Sequence, residues 1–284
     1  MIIWLASYPK SGNTWIRAFV SSLLFKKDNV NSLDNMKQIH AYPLKKDFYN
    51  LLKDFNNLNT ISECWEKSQN ILNLDKKIKF LKTHHILCGI NKNFFTNYKN
   101  SLGVIYIVRD PRNVITSLMN HYSIENYDQA LKFILDKDRF SGKFGEKNSF
   151  TRETEFPTYI SNWNNHYNSW KSFKKNYLLI KYEDLVKNPE ANFKEIANYL
   201  GKLLKIQIDN EDINYAITKS SFINLKKSEE IYGFDEAPPD EITKKKKKFF
   251  NLGPDNQWQK YLSKDIQNKI ENSFKNEMKE LNYL

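Results

Sequence analysis

Cysteine is almost missing: Cys64 and Cys88 are the only two in 284 residues, and no pair spacing suggests a zinc site. That excludes a disulfide framework and points to a reducing compartment. Long apolar runs are missing too. Nothing approaches the run of about 20 apolar residues that spans a bilayer. The apolar opening Met1-Ile2-Ile3-Trp4-Leu5-Ala6 stops at Ser7 and carries no basic leader. Neither a signal peptide nor a membrane span is expected, and a cytoplasmic location is. With no internal repeat and no linker rich in Pro, Gly or Ser, one domain over residues 1–284 is the simplest expectation.

What the chain has in excess is positive charge, a formal +11. A basic surface attracts nucleotides, nucleic acid, acidic glycans or an anionic membrane. A composition bias toward lysine and asparagine produces the same total with the charges scattered and solvated. Charge by itself does not choose the partner.

Ile2 to Ser7 is a nearly continuous apolar run, the pattern of a buried parallel strand. A tight loop with Pro9 and Gly12 follows, and from Thr14 the residues Trp15, Ala18, Phe19, Ser22 and Leu23 fall at helical spacing. Phe80–His84, Gly103–Val108 and Tyr177–Lys181 read as further strands. Helices are expected over Asn113–Tyr122, Pro157–Trp170 and from Asn188-Pro189 to Leu200. Ile266, Ile270, Phe274 and Met278 recur every four residues, the stripe of a final amphipathic helix. Residues 29–75 read as short helices and loops, and 136–156 as a surface excursion or lid. Strands alternating with helices imply an α/β fold with a mainly parallel sheet.

Three places carry chemistry. The loop Tyr8-Pro9-Lys10-Ser11-Gly12-Asn13-Thr14-Trp15 joins a buried strand to a helix start, where backbone N–H groups and the helix dipole favour an anion. Lys10 adds a mobile charge; Ser11, Asn13 and Thr14 add donors. A Walker A loop is excluded, because that motif needs G-x-x-x-x-G-K-[ST] and here lysine precedes the only glycine. On the loop alone, a capped helix with a surface lysine remains the competing reading.

In Lys82-Thr83-His84-His85, strand alternation puts Lys82 and His84 on one side and His85 on the other. A cation and an imidazole on one face suit an anionic transition state and a proton transfer; an isolated histidine is as readily a hydrogen-bonded structural residue. Arg109 ends the third strand, where ligands of open α/β sheets bind, and Ser117 sits two turns into the following helix. The planar guanidinium suits a phosphate, although a strand-end arginine also serves as an ion-pair partner.

Taken together these segments resemble the cytosolic-type sulfotransferases. Ser7–Trp15 is similar to the family's 5′-phosphosulfate loop Tyr-Pro-Lys-Ser-Gly-Thr-Thr-Trp, with Asn13 in place of threonine. Phe80–His84 is similar to its Lys-Thr-His segment, though His85-Ile86 stands where Leu-Pro is usual. Tyr106–Ser117 resembles its 3′-phosphate site, an arginine with a serine eight positions later. Lys181-Tyr182-Glu183-Asp184 resembles Tyr-Glu-Asp, and Ser220-Ser221-Phe222 resembles Thr-Ser-Phe. The last block, Arg-Lys-Gly then Gly-Asp-Trp, survives as Asn251-Leu252-Gly253 and Trp258, with both cations replaced. The lysine run Lys244–Lys248 lies just upstream as a substitute charge, or as a solvated run.

The resemblance implies a P-loop-NTPase-like sulfotransferase fold, a central parallel sheet flanked by helices. It implies 3′-phosphoadenosine 5′-phosphosulfate (PAPS) as donor, with no metal. Donor contacts then fall to Lys10, Ser11, Gly12, Asn13, Thr14, Trp15, Arg109, Ser117, Tyr182, Ser220, Phe222, Lys248 and Gly253. It makes His84 the base, with Lys10 on the leaving phosphate oxygen and Lys82 on the transferring group. Ser117 holds Lys10 back until acceptor binds. The acceptor is a small molecule or glycan, with no nucleic acid expected, and the loops at 29–75 and 136–156 set its identity. Three alternatives stand beside this: a P-loop kinase-like nucleotide enzyme, a non-catalytic polyanion-binding module, and a sulfotransferase fold that has lost activity.

Overall fold

The structure is a computed structural model that describes residues 1–26, 30–53, 57–142, 156–238 and 246–284. In chain order the strands are β1 (Ile2–Ser7), β2 (His40–Ala41), β3 (Lys79–Thr83), β4 (Gly89–Ile90), β5 (Asn93–Phe94), β6 (Ser101–Val108), β7 (Phe140–Ser141), β8 (Thr158–Tyr159) and β9 (Tyr177–Lys181). The first six helices are α1 (Asn13–Leu24), α2 (Ser32–Asn35), α3 (Leu58–Leu72), α4 (Pro111–Tyr122), α5 (Tyr127–Leu135) and α6 (Trp163–Lys171). They are followed by α7 (Tyr182–Lys187), α8 (Pro189–Leu204), α9 (Asn210–Ser220), α10 (Phe222–Tyr232), α11 (Lys264–Ser273) and α12 (Lys275–Glu280).

The main sheet runs β2-β3-β1-β6-β9. β1 pairs with β3 in parallel, Leu5 opposite Lys82 and Ala6 opposite Thr83, and β3 pairs in parallel with β2. All six β1 residues are buried, as the unbroken apolar run requires of a strand covered on both faces.

The chain divides into two compact units. The first comprises Met1–Tyr8, Ile39–Tyr106 and Lys137–Leu179. Its core is aromatic: fully buried Trp4 meets Tyr42, Phe95 and Trp170, and the indole Nε1 of Trp4 donates to Ser101 Oγ at 2.7 Å. The second comprises Pro9–Gln38, Ile107–Asp136 and Ile180–Leu284, so β6 and β9 each give it their last two residues. Its core stacks Phe19 on Phe193 at 4.3 Å between ring centres.

Three expectations need revision. The helix expected from Pro157 begins only at Trp163, capped by the Asn162 side chain, after the short strand β8. Within 29–75 stands a fifteen-residue helix, α3. Its buried face carries Ser62, Ser68 and Gln69 beside Ile61 and Trp65, which hides the apolar period. The C-terminal stripe is buried as expected, but Phe274 (φ −121°, ψ 23°) divides it between α11 and α12. Most of the 136–156 excursion, and Lys244 and Lys245, lie outside the described residues.

Candidate active site

The second unit holds the first loop from Pro9 onward. Gly12 is the N-cap of α1 with φ 103°, and its carbonyl accepts from Trp15 N at 3.0 Å and Ile16 N at 3.3 Å. The amides of Asn13 and Thr14 stand at the positive end of the helix, and its first turn contains no acid. Lys10 also takes a positive φ, 66°, so the loop turns sharply back on itself.

Two polar atoms of this loop, Ser11 Oγ and Trp15 Nε1, are buried without a hydrogen-bond partner among the described residues. A buried hydroxyl or indole N–H left so costs on the order of 1–3 kcal/mol. Natural chains tolerate this where a ligand, an ion or an ordered water supplies the partner. The donor set therefore fits a polar anionic ligand.

Arg109, 5 % exposed at the end of β6, turns onto the same loop. Its Nη1 donates to Lys10 O at 3.1 Å, and its guanidinium lies 4.0 Å from the Tyr182 ring centre. Tyr182 in turn backs Gly12: a Cβ there would stand 2.6 Å from Tyr182 Cδ2. Trp15 meets the edge of the Tyr182 ring at 5.7 Å. Lys10, Gly12, Trp15, Arg109 and Tyr182 thus form one cluster. Ser117 sits half-buried on α4.

Behind Arg109, Glu183 fixes the turn into α4. It accepts from Asp110 N at 3.0 Å and from Tyr283 Oη at 2.8 Å, and burial pushes its carboxyl above the ordinary range. Arg112 closes on Asp110 with Nη2 at 2.7 Å from Oδ2, reaches Glu271 and the Tyr283 carbonyl at 2.7 Å each, and lies over the Trp258 ring.

The distal blocks converge through packing. Trp15, Phe222 and Phe249 all press on one apolar cluster that includes Ala18, Leu225, Phe234 and Phe250. Gly253, at φ 53°, has no room for a side chain because a Cβ would collide with the Phe222 ring. Asn256 accepts from Thr116 Oγ1 at 2.8 Å and Asn113 Oδ1 accepts from Trp258 N at 2.9 Å, tying the last block to α4.

Two of the expected donor contacts have protein partners in the structure. Ser220 is fully buried and donates its hydroxyl to Ala216 O within its own helix, at 2.8 Å. Lys248 is exposed, with Nζ 3.7 Å from Glu230. Its neighbours Lys246 and Lys247 donate to Phe234 O and Ser123 Oγ, so the described part of the lysine run is individually engaged. One contact had no local signal in the sequence: Lys10 Nζ lies 4.3 Å above the Phe249 ring.

The first unit holds His84, one residue past the end of β3. Lys82 and His84 are half-buried while Thr83 and His85 are buried, so the alternation expected from the sequence persists beyond the strand. His84 Nδ1 stands 2.7 Å from the Ser7 carbonyl oxygen and 3.3 Å from Ser7 Oγ. A carbonyl only accepts, so the ring proton belongs on Nδ1 and the lone pair on Nε2. That tautomer is a proton acceptor at Nε2. His85 is fully buried beneath Phe95, its ring pushed down to about 4 by burial.

No helix among the described residues is long and apolar enough to cross a membrane. Among them there is also no cluster of three or more His, Cys, Asp or Glu with metal-holding geometry.

Comparison with known proteins shows the family. A family model described as a sulfotransferase domain matches residues 2–282. Sulfotransferase 1B1 of Canis lupus familiaris is 24% identical over 280 residues, covering 97% of this chain and 83% of its own. Flavonol 4′-sulfotransferase of Flaveria chlorifolia is 25% identical over 283 residues, covering 95% and 76%. A mouse sulfotransferase solved in complex with PAP has the same fold, with TM-score 0.60 and 20% identity over 98% of this chain and 84% of that one. The chain is a sulfotransferase, a member of the sulfotransferase domain family over nearly its whole length.

Proposed function

We propose that this enzyme transfers the sulfuryl group of PAPS to a hydroxyl or amine of a small-molecule or glycan acceptor and releases adenosine 3′,5′-bisphosphate. One observation carries the reading. Five blocks far apart in sequence are linked in the second unit through Gly12, Trp15, Arg109, Tyr182, Phe222 and Gly253, and the loop among them buries Ser11 Oγ and Trp15 Nε1 with no hydrogen-bond partner among the described residues.

In this reading the amides of Asn13 and Thr14, with Ser11 and Lys10, hold the 5′ end of the donor at the helix terminus. Arg109 and Ser117 take the 3′-phosphate, with Lys248 and Gly253 at its edge. Trp15, Tyr182 and Phe222 provide aromatic surface for the base, and Ser220 borders it. PAPS, when bound, supplies the activated sulfuryl group. His84 accepts the acceptor's proton at Nε2, a role supported by the Nδ1 contact to the Ser7 carbonyl. Lys10 neutralises charge on the leaving phosphate oxygen, and Lys82 supports the transferring group. Ser117 restrains Lys10 until acceptor binds.

Lysine ammonium groups, rather than a metal, neutralise the developing charge. We further read the chain as one functional domain in the cytoplasm.

A thermal-shift series with adenosine 3′,5′-bisphosphate, ADP and ATP, each with and without magnesium, tests the reading. Selective, metal-independent stabilisation by the bisphosphate is expected. Preference for ATP with magnesium would replace this reading by a kinase. No shift with any nucleotide would point to a polyanion-binding module or a degenerate enzyme.

A further inference from the structure

The first unit contains a hydrogen-bonded device whose central residue, His166, lies in none of the motif blocks. Helix α6 carries His166 and Trp170, four residues apart and therefore on one face. His166 Nε2 lies 3.1 Å from the His84 carbonyl oxygen, and Trp170 Nε1 donates to the His85 carbonyl at 2.9 Å. Both carbonyls lie past the end of β3, where the ladder no longer provides their partners.

The other side of His166 is also engaged. Tyr106 Oη stands 2.8 Å from His166 Nδ1, and the backbone N–H of Tyr8 bonds that same phenolic oxygen. Because a carbonyl only accepts, Nε2 of His166 must carry the proton toward His84, and Nδ1 then accepts from the Tyr106 hydroxyl. All donors point one way, from Tyr8 N–H through Tyr106 and His166 to the His84 carbonyl. His166 is fully buried and burial pushes its pKa down to about 3, so the neutral donor form persists at working pH.

We infer that His166 is a positioning residue for His84, holding its peptide carbonyl through Nε2–H while Ser7 holds its ring. The inference rests on the reading of His84 as base. With the imidazole tied at Nδ1 and the backbone tied at the carbonyl, two separate bonds fix where Nε2 points. Misplacing a reacting group by about 1 Å costs on the order of 100-fold in rate.

Two substitutions separate positioning from ordinary core packing. In His166→Gln the amide nitrogen reaches about as far as Nε2 and still donates to the His84 carbonyl. In His166→Asn the amide reaches only as far as Nδ1, which keeps a partner for Tyr106 and loses the bond to His84. Steady-state transfer from PAPS to 4-nitrophenol is measured for both, with calorimetric binding of adenosine 3′,5′-bisphosphate and urea midpoints. The expected result is kcat lowered about 10- to 100-fold in His166→Asn, an unchanged donor KM, and recovery to within about threefold in His166→Gln. Equal kcat in the two variants, or a loss confined to KM, overturns the inference. If the asparagine variant does not fold, Tyr106→Phe decides: it removes only the hydroxyl that holds the His166 tautomer. A kcat lowered by about threefold or more supports the inference, and wild-type kcat overturns it. His84→Ala is run alongside. Retained transfer there removes the base reading itself, whereas an inactive His84→Ala with a fully active His166→Asn removes only the inference.

Discussion

Tyr182 is packed so closely against Gly12 that a Cβ at position 12 would stand 2.6 Å from its Cδ2. The ring cannot simply retreat, since the Arg109 guanidinium lies 4.0 Å from its centre and Trp15 meets its edge. Gly12 is thus required twice, for its φ of 103° and for the approach of Tyr182. Gly12→Ala should cost about 2–3 kcal/mol in urea unfolding and weaken bisphosphate binding at least about tenfold by calorimetry. Wild-type affinity in a folded variant would show that the loop does not form the donor site.

Two of the proposed catalytic groups predict different losses. His84→Ala should abolish transfer, by at least about 100-fold, and leave bisphosphate binding nearly intact. Lys10→Met should both slow transfer and weaken binding, because Lys10 belongs to the donor loop. A His84→Ala variant that loses binding and transfer together would count against a base role, and unchanged kinetics in Lys10→Met would remove that residue from the mechanism.

Arg112 is the buried hub of the turn behind Arg109, with its side chain 8 % exposed and Asp110 at 6 %. Arg112→Met leaves the Asp110 carboxylate buried without its cation, and a broken buried pair costs about 3–5 kcal/mol. Urea unfolding should show a loss of that size, and adding Asp110→Asn should return part of it. A loss below about 1 kcal/mol would place the pair in the class of exposed bridges.

Two fully buried rings predict the response to acid. His85 and His166 bind a proton in the unfolded chain near pH 6.5, but in the fold only near 4 and 3, because burial disfavours the cation. Between those values unfolding takes up protons, so each ring removes about 1.4 kcal/mol per pH unit as pH falls below 6.5 and nothing above it. Stability measured by urea melts from pH 7.5 to 4.5 should fall less steeply in His166→Gln by about that amount per unit. Parallel curves would mean that His166 is already protonated in the fold.

Much of the sheet was legible because burial on both faces leaves continuous apolar runs at Ile2–Ser7 and Gly103–Val108, while the edge strand Tyr177–Lys181 keeps a short apolar run although only Ile180 in it is buried. The same logic failed for α3, whose buried face spends polar side chains on tertiary partners. Gln69 donates to Phe95 O at 2.6 Å, and Ser68 Oγ meets Tyr42 Oη at 2.6 Å. A hydrophobic period cannot reveal a face that is buried through hydrogen bonds. The start of α6 was missed for a related reason: Thr158–Tyr159 is held as a strand by pairing with Phe140–Ser141, and Asn162 then caps the helix.

The order and chemistry of the site residues were set by the sequence alone. A lysine-containing loop before a helix, an imidazole on the same strand face as Lys82, and an arginine at a strand end are properties of residue type and local spacing. Tertiary structure decided which atoms meet. It placed the Ser7 carbonyl against His84 Nδ1, turned Arg109 onto the Lys10 carbonyl, and brought Tyr182 against Gly12. Local spacing governs which face a side chain takes, but hydrogen-bond partners and ring contacts between residues far apart in the chain exist only once the core has packed.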